Sequence, residues 1–542
     1  MSVGGALTSS TGLRPGLESN EKKSLPRIKL TKDPLTNPAG IGTKRFVDSD
    51  GRERVFHGTN VVVKGPPWVP TRGAFDRNSS MSSEDLEIMR KLGVRVVRLG
   101  VMWPGVEPER GQYNETYLDE IEALVNSAGE HGIYSLLDMH QDDLSEMFCG
   151  EGIPKWAVRA PPKPLLWGFP APLARAFKDR DVQGFPSRQE CATVTPWDLY
   201  QFTEEGSYAY DALYHNVDGI RDAWAQMWAK VASRFRGNTN VLGYEFINEP
   251  FLGSFYKDPK VLIPPFADKK GLQVAYDEIS KAVREVDQET LVVFGGNIFD
   301  DTGPGFEHPP TGSEDNSVLA YHWYVFPQFE PAWIQFRFQL GAAERLKVGA
   351  MLTETGVGFE HFNTAGGVAD AADRQLQSWA GWEWKPFCIE SEDTLVGKSQ
   401  NAAWGACKTG VGTVWPSDEG PPEKERQGYA RTYAPAVAGE ILEMYFESAT
   451  GRFRLSFRLN TAIATPTELF VAPDVYYPNG LEVSAHDVSG QPSRDVEIRY
   501  DNAKDSNTIL VVAKPGAEHD GVVHVSVEAK PAAEQNVEQS VA

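Results

Sequence analysis

A (β/α)₈ barrel followed by an antiparallel β-sandwich is the fold class that this sequence predicts, and three observations predict it. Eight short apolar runs of β-forming type recur between residues 55 and 384, with helix-period segments between several of them, which favours a closed barrel over an open sheet. Polar residues gather where those runs end and are sparse within them, as on the functional face of a barrel. From about residue 429 the pattern becomes strictly alternating, in Gly451-Arg452-Phe453-Arg454-Leu455-Ser456-Phe457-Arg458-Leu459 and again in Val523-His524-Val525-Ser526-Val527, which marks antiparallel strands.

The elements follow in order. Residues 55–62 form the first expected strand. Ser83 is placed to cap a helix running to about Lys91, and Gly93 ends it before a second strand at 94–99. Tyr117, Ile121, Leu124, Val125 and Ala128 recur at helix spacing within 115–129, and strand three follows at Tyr134–Asp138. A long insertion rich in proline and aromatics occupies 146–218. A helix at 220–235 leads to strand four at 241–246. Further strands are expected at 291–294, 317–322, 351–353 and 380–384, with helices at 273–286 and 368–378. The domain reading is therefore a flexible arm over 1–40, the barrel over 41–428, the sandwich over 429–530 and a polar tail over 531–542.

The 542 residues carry a net charge of −22, which excludes nucleic acid as the main partner because phosphate binding needs concentrated Lys and Arg. Aromatic side chains are plentiful, and their faces suit sugars and lipids. No apolar run reaches the roughly 18–20 residues of a membrane span, and residues 1–26 lack a signal-peptide core. The expectation is a soluble chain without a standard secretory signal. Its compartment and oligomeric state are not written in the sequence. Cys149, Cys191, Cys388 and Cys407 lack zinc-site spacing; all four fall in expected loops, so Cys149–Cys191 and Cys388–Cys407 are possible bridges, with four free thiols the alternative.

The chemistry concentrates in Val241-Leu242-Gly243-Tyr244-Glu245-Phe246-Ile247-Asn248-Glu249-Pro250, where an Asn-Glu pair closes an apolar strand. Packing alone does not ask for a carboxylate there, although an Asn-Glu-Pro triplet also suits a capped helix start. A second carboxylate, Glu354, ends strand seven. Two carboxylates on facing strand ends are what glycoside hydrolysis requires, one to protonate the leaving oxygen and one to attack the sugar carbon. Arg98 at the end of strand two is placed to keep the attacking carboxylate ionised, Asn248 to bind a sugar 2-hydroxyl, and Tyr324 to orient the nucleophile. His140 and His322 are placed to donate to hydroxyls or carboxylates, and Trp382 and Trp384 mark strand eight.

Several separated motifs resemble glycoside hydrolase family 5 of the (β/α)₈ clan A, and more closely its endoglycoceramidases and related glycosylceramidases. They are Gly58-Thr59-Asn60-Val61-Val62-Val63-Lys64 with Pro66-Pro67, Val97-Arg98-Leu99-Gly100-Val101-Met102-Trp103-Pro104, Leu137-Asp138-Met139-His140-Gln141-Asp142 and Phe246-Ile247-Asn248-Glu249-Pro250. The resemblance spans about 50–530. It implies a retaining β-glycosidase acting on glycosphingolipids, with Glu249 as acid/base and Glu354 as nucleophile. It also implies supporting or sugar-binding places for Arg98, His140, Asn248, His322, Tyr324 and Trp382, and outer-hydroxyl places for Lys64 and Asp142. The family implies neither a metal nor an organic cofactor, and it admits an extracellular or endomembrane-lumen location.

A glycolipid substrate and contact with a membrane or micelle surface ask for an apolar rim. The segments 164–173 and 251–255 are expected to supply it. A β-glucanase, a steryl β-glucosidase, or a catalytically silent carbohydrate- or membrane-binding protein are the alternatives on the same framework.

Overall fold

A computed structural model describes residues 24–161, 177–191, 197–324, 331–358, 361–385, 387, 415, 420–500 and 507–531. Eight parallel strands close into a barrel in sequence order: β1 (His57–Val61), β2 (Val96–Gly100), β3 (Tyr134–Asp138), β4 (Val241–Glu245), β5 (Leu291–Gly295), β6 (Ser317–Trp323), β7 (Gly349–Gly356) and β8 (Ser378–Trp382). β8 returns to β1 with Trp379 beside His57. Five of these strands are buried at every position and the other three at all but one, which is why they read as apolar runs without alternation.

The helices Ile220–Phe235 and Gln273–Val286 occupy the expected residues, their apolar stripes turned to the barrel. The cap of Ser83–Lys91 is Ser82, one residue earlier than expected, because Ser82 and Asp85 bond each other's backbone in a capping box. A helix at Ala332–Leu346 escaped the sequence reading. Its buried Phe336, Leu340 and Ala343 keep helical spacing, but exposed Trp333 and Phe338 blur the stripe.

The expected β-sandwich is present, with one change in its membership. A four-stranded antiparallel sheet holds Gly439–Glu447, Arg452–Leu459, Val522–Ala529 and Leu481–His486. The second sheet has seven strands, three of which come from the other end of the chain: Ile28–Leu30, Phe46–Asp48 and Glu53–Arg54 pair ahead of Tyr433–Val437. From residue 24 onward the arm is thus built structure rather than a flexible lead. Ile28, Leu30 and Phe46 pack with Phe56, Tyr134, Leu242 and Met351 in a separate apolar cluster that floors the barrel. Strands of two or three residues are too short to leave a periodicity to read, and the last of them, Glu53–Arg54, finds its other partner nearly 400 residues away in Tyr433–Val437.

Inside the insertion, Cys149 and Cys191 form a disulfide across 42 residues. Cys388 and Cys407 lie outside the described residues, as do 164–173 and most of the 531–542 tail. Among the described residues, no helix is long and apolar enough to cross a membrane.

Candidate active site

Arg98 is the centre of the barrel mouth. It projects from β2 without solvent exposure, meets Asp138 at 3.0 Å, Glu245 at 2.7 Å and Glu354 at 3.1 Å, and donates to the side-chain oxygens of Asn60 (3.0 Å) and Asn248 (2.9 Å). One guanidinium cannot neutralise three carboxylates, so the pocket keeps an excess of negative charge. Burial and that excess raise carboxyl pKa values: Asp138 is pushed up to about 6 by burial, against the pull of Arg98.

Glu354 reaches the lumen through an irregularity in β7. Its register slips against β6 at Tyr321/His322 and against β8 between Leu352 and Thr355. Such bulges re-aim side chains, and here consecutive residues both find partners inside the mouth. Thr353 bonds Glu245 and His322, while Glu354 accepts from Arg98 and, at 2.6 Å, from the Tyr324 hydroxyl.

Glu249 stands opposite on a turn after β4. Its backbone is left-handed, φ +36°, a conformation costly for a non-glycine residue, and Asn248-Glu249-Pro250 is not a helix start. Gln141 holds the turn in place, its amide donating to the carbonyls of Asn248 (2.7 Å) and Glu249 (2.8 Å). Oε1 of Glu249 lies 2.8 Å from Nδ1 of His322. One ligating atom each from Glu249, His322 and Glu354 falls within 4.8 Å of the others.

Burial, then the charge of Asp142, pushes the Glu249 carboxyl up to about 7. Burial also drives Glu354 up to about 7; His322 and Arg98 oppose that rise and Glu249 adds to it. The hydrogen bonds decide where the pair's negative charge lies. Glu354 accepts from a guanidinium and a phenol, whereas Glu249 faces one imidazole and the repulsion of Asp142. The charge therefore rests on Glu354 and the proton on Glu249.

Beside the pair, Lys64 forms an ion pair with Asp142, lies 3.7 Å from Glu151 and stands over the Trp382 ring at 4.6 Å. Burial opposes the Lys64 charge, but Asp142 and Glu151 outweigh it and hold the ammonium above the usual lysine range. Trp382 in turn stacks on His140, whose Nδ1 bonds Asp138 at 2.9 Å. Burial holds His140 neutral, so Nδ1 is the donor to Asp138. Two trios, His140–Asp142–Glu151 and Glu249–His322–Glu354, could converge on a cation, but Lys64 and Arg98 already supply positive charge to them.

The mouth thus brings together Lys64, Arg98, His140, Asp142, Asn248, Glu249, His322, Tyr324, Glu354 and Trp382. Trp384 is not among them. It is buried, donates to Asp85 at 3.1 Å and packs edge-on to Trp415 and Tyr429. β8 stops at Trp382, so strand alternation no longer places the residue two positions on. The segment 251–255 is also turned inward, with Phe251, Leu252 and Ser254 buried and Phe251 packed on Phe202 and Tyr210. Asn60, Asp138, Gln141, Glu245 and Thr353 escaped the sequence reading. For Glu245 and Asp138 the available signal was a carboxylate inside or ending a fully buried strand.

Residues 47–387 match the family described as Cellulase (glycosyl hydrolase family 5), and 431–527 match the family 5 C-terminal domain. The chain belongs to glycosyl hydrolase family 5. An endoglycoceramidase of Cyanea nozakii is 39% identical over 450 residues, covering 82% of this chain and 85% of the relative. Endoglycoceramidase I of Rhodococcus hoagii (strain 103S) is 28% identical over 457 residues, covering 83% and 82%. Endo-glycoceramidase II from Rhodococcus sp., solved with ganglioside GM3, shares the fold at a TM-score of 0.64 and 21% identity, over 90% of this chain and 100% of that one. The family 5 assignment makes the chain a glycoside hydrolase, with barrel and C-terminal domain both accounted for.

Proposed function

We propose that this family 5 hydrolase cleaves the β-glycosidic bond between sugar and lipid in glycosphingolipids, with retention, through Glu249 and Glu354. The observation that carries the mechanism is that one carboxylate oxygen of Glu249 and one of Glu354 lie within 4.8 Å of each other. Direct displacement on the sugar suits a separation of about 5–5.5 Å, whereas an intervening water needs roughly 6.5–9.5 Å. Glu354 attacks the anomeric carbon as Glu249 protonates the departing oxygen; Glu249 then takes a proton from the water that releases the sugar. The substrate class follows the relatives named endoglycoceramidases, two of which align over more than four fifths of this chain.

Lys64, Asp142, His140, Asn248 and Trp382 line the sugar side, ring faces and charged hydrogen-bonding groups together. The Cys149–Cys191 bridge supports an oxidising compartment, such as the endomembrane lumen or the cell exterior. Contact with a membrane or micelle surface follows from the substrate, since each lipid CH₂ drawn from an apolar phase must be offset by about 0.8 kcal/mol of burial elsewhere.

Mass spectrometry of products from glucosylceramide, lactosylceramide, a ganglioside, a steryl glucoside and cellotetraose tests the reading. Release of intact oligosaccharide and ceramide from the glycosphingolipids is expected. Turnover of only steryl glucoside or cellotetraose would replace the substrate assignment. Glu354→Gln should abolish turnover while sparing binding, and surviving activity would remove Glu354 from its role.

A further inference from the structure

Behind the Glu249–His322 contact runs a chain of hydrogen bonds whose direction can be worked out. Glu245 accepts the fork of Arg98 at 2.7 and 3.1 Å, so it is an ionised acceptor even though burial pushes its pKa up. The Thr353 hydroxyl donates to that carboxylate at 3.1 Å. A hydroxyl has one proton, so the other contact of Thr353 Oγ1, with Nε2 of His322 at 3.1 Å, must be one it accepts. Nε2 therefore carries the ring proton. On a neutral ring Nδ1 is then a bare acceptor, and it faces Oε1 of Glu249 at 2.8 Å, where two acceptors would repel. The proton in that contact belongs to Glu249. Burial keeps the imidazole neutral, with Arg98 adding to the effect against Glu354, Glu245 and Asp138.

We propose that Thr353 and Glu245 are positioning residues that fix His322 in the Nε2–H tautomer and so hold Glu249 in its protonated, acid-ready form. The proposal rests on Glu249 being the acid/base. In the resting site Glu249 keeps its proton and donates it to Nδ1 of His322; when a glycosidic oxygen enters, the carboxyl turns that proton to the leaving group. The charges facing Glu249 are Asp142, Lys64, Arg98, Asp138 and Glu354, and those facing His322 are Arg98, Glu245, Asp138 and Glu354. Thr353 adds no charge to either set. It selects which imidazole nitrogen holds the proton.

Thr353→Val tests this with little change of volume. Without the hydroxyl acceptor, His322 can present Nδ1–H to Glu249 and favour its ionised form. The basic limb of kcat/KM on lactosylceramide should then move to lower pH by about one unit, and activity above the limb should fall roughly tenfold. Thr353→Ser should restore the limb. On a dinitrophenyl lactoside, whose leaving group needs no proton, Thr353→Val should lose far less kcat/KM than on lactosylceramide. An unmoved limb, or equal losses on both substrates, overturns the proposal.

Should the valine variant fail to fold, ¹⁵N-histidine spectra of the parent protein, with His322→Gln to assign the resonance, report the tautomer directly. A protonated Nδ1 with a bare Nε2 would refute it. Glu249→Gln on the same two substrates keeps the underlying assignment separate. If that variant also loses the dinitrophenyl substrate's advantage, Glu249 is not the acid; if only the Thr353 variants are silent, the tautomer inference alone fails.

Discussion

Two buried ion-pair networks sit at opposite ends of the barrel, and their charges are balanced differently. At the foot, Arg45 pairs with Glu53 at 2.6 Å, Arg52 with Asp48 at 3.0 Å and Glu468 at 2.6 Å, and Arg54 with Asp48 at 3.2 Å. Three cations meet three carboxylates, and the network ties the N-terminal hairpin, just ahead of the first barrel strand, to the C-terminal strands of its sheet. At the mouth, Arg98 alone meets three carboxylates, with Glu249 close by. Matched charge works as an attachment. At the mouth, burial, with unmatched negative charge adding to it around Glu249 and Glu354, lifts these carboxyl pKa values toward neutrality, where a proton can be exchanged during turnover.

Removing the central cation should break the mouth most completely. Arg98→Met leaves Asp138, Glu245 and Glu354 buried without their partner, and should cost about 3–5 kcal/mol in denaturant unfolding together with all activity. Next comes Glu249→Gln, which should lower kcat/KM on lactosylceramide by about 10²–10⁴ and leave stability nearly intact. Its stability curve carries a further signature. Glu249 is held near 7 in the folded protein against 4.5 as its ordinary value, so it binds its proton more tightly when folded. That contribution is full below pH 4.5 and is lost as pH rises through 7; the glutamine variant should show a shallower decline of stability across this window.

At the foot the same kind of deletion should give the opposite division. Arg45→Met should cost about 3 kcal/mol of stability, read by chemical denaturation, with kcat/KM of the folded enzyme unchanged. A loss of activity there would show the two networks to be coupled. The smallest effect is expected from Asp142→Asn. Removing a charge that raises Glu249 should shift the basic limb of the pH–rate profile to lower pH by a fraction of a unit.

The mouth was more legible in the sequence than the foot. Glu249, Glu354 and Arg98 announce themselves because a charge within or just after an apolar strand has no packing reason to be there. The foot offers no such contrast, since Arg45, Glu53 and Arg54 sit in a polar stretch and acquire meaning only from distant partners. Trp384 shows the limit within the mouth itself: an alternating Trp-Glu-Trp run looks like one face of a strand, and the strand ends two residues too soon, at Trp382. Thr353 was invisible for a related reason. Only the β7 bulge lets it share the lumen with its neighbour Glu354.

The sheet that joins both chain ends bears on how the protein is made. Arg54 binds the carbonyl of Pro435, 381 residues away. At synthesis rates of about 5–20 residues per second, the first hairpin waits roughly 20–80 s before its neighbour leaves the ribosome. Throughout that interval it offers an unpaired strand edge, the usual start of wrong pairings. Arg52 and Arg54, which later bind Asp48, Glu468 and Pro435, meanwhile place charge along this edge. Their first service to the enzyme comes before it exists as a folded whole, as guards of a hairpin waiting for the far end of its own chain.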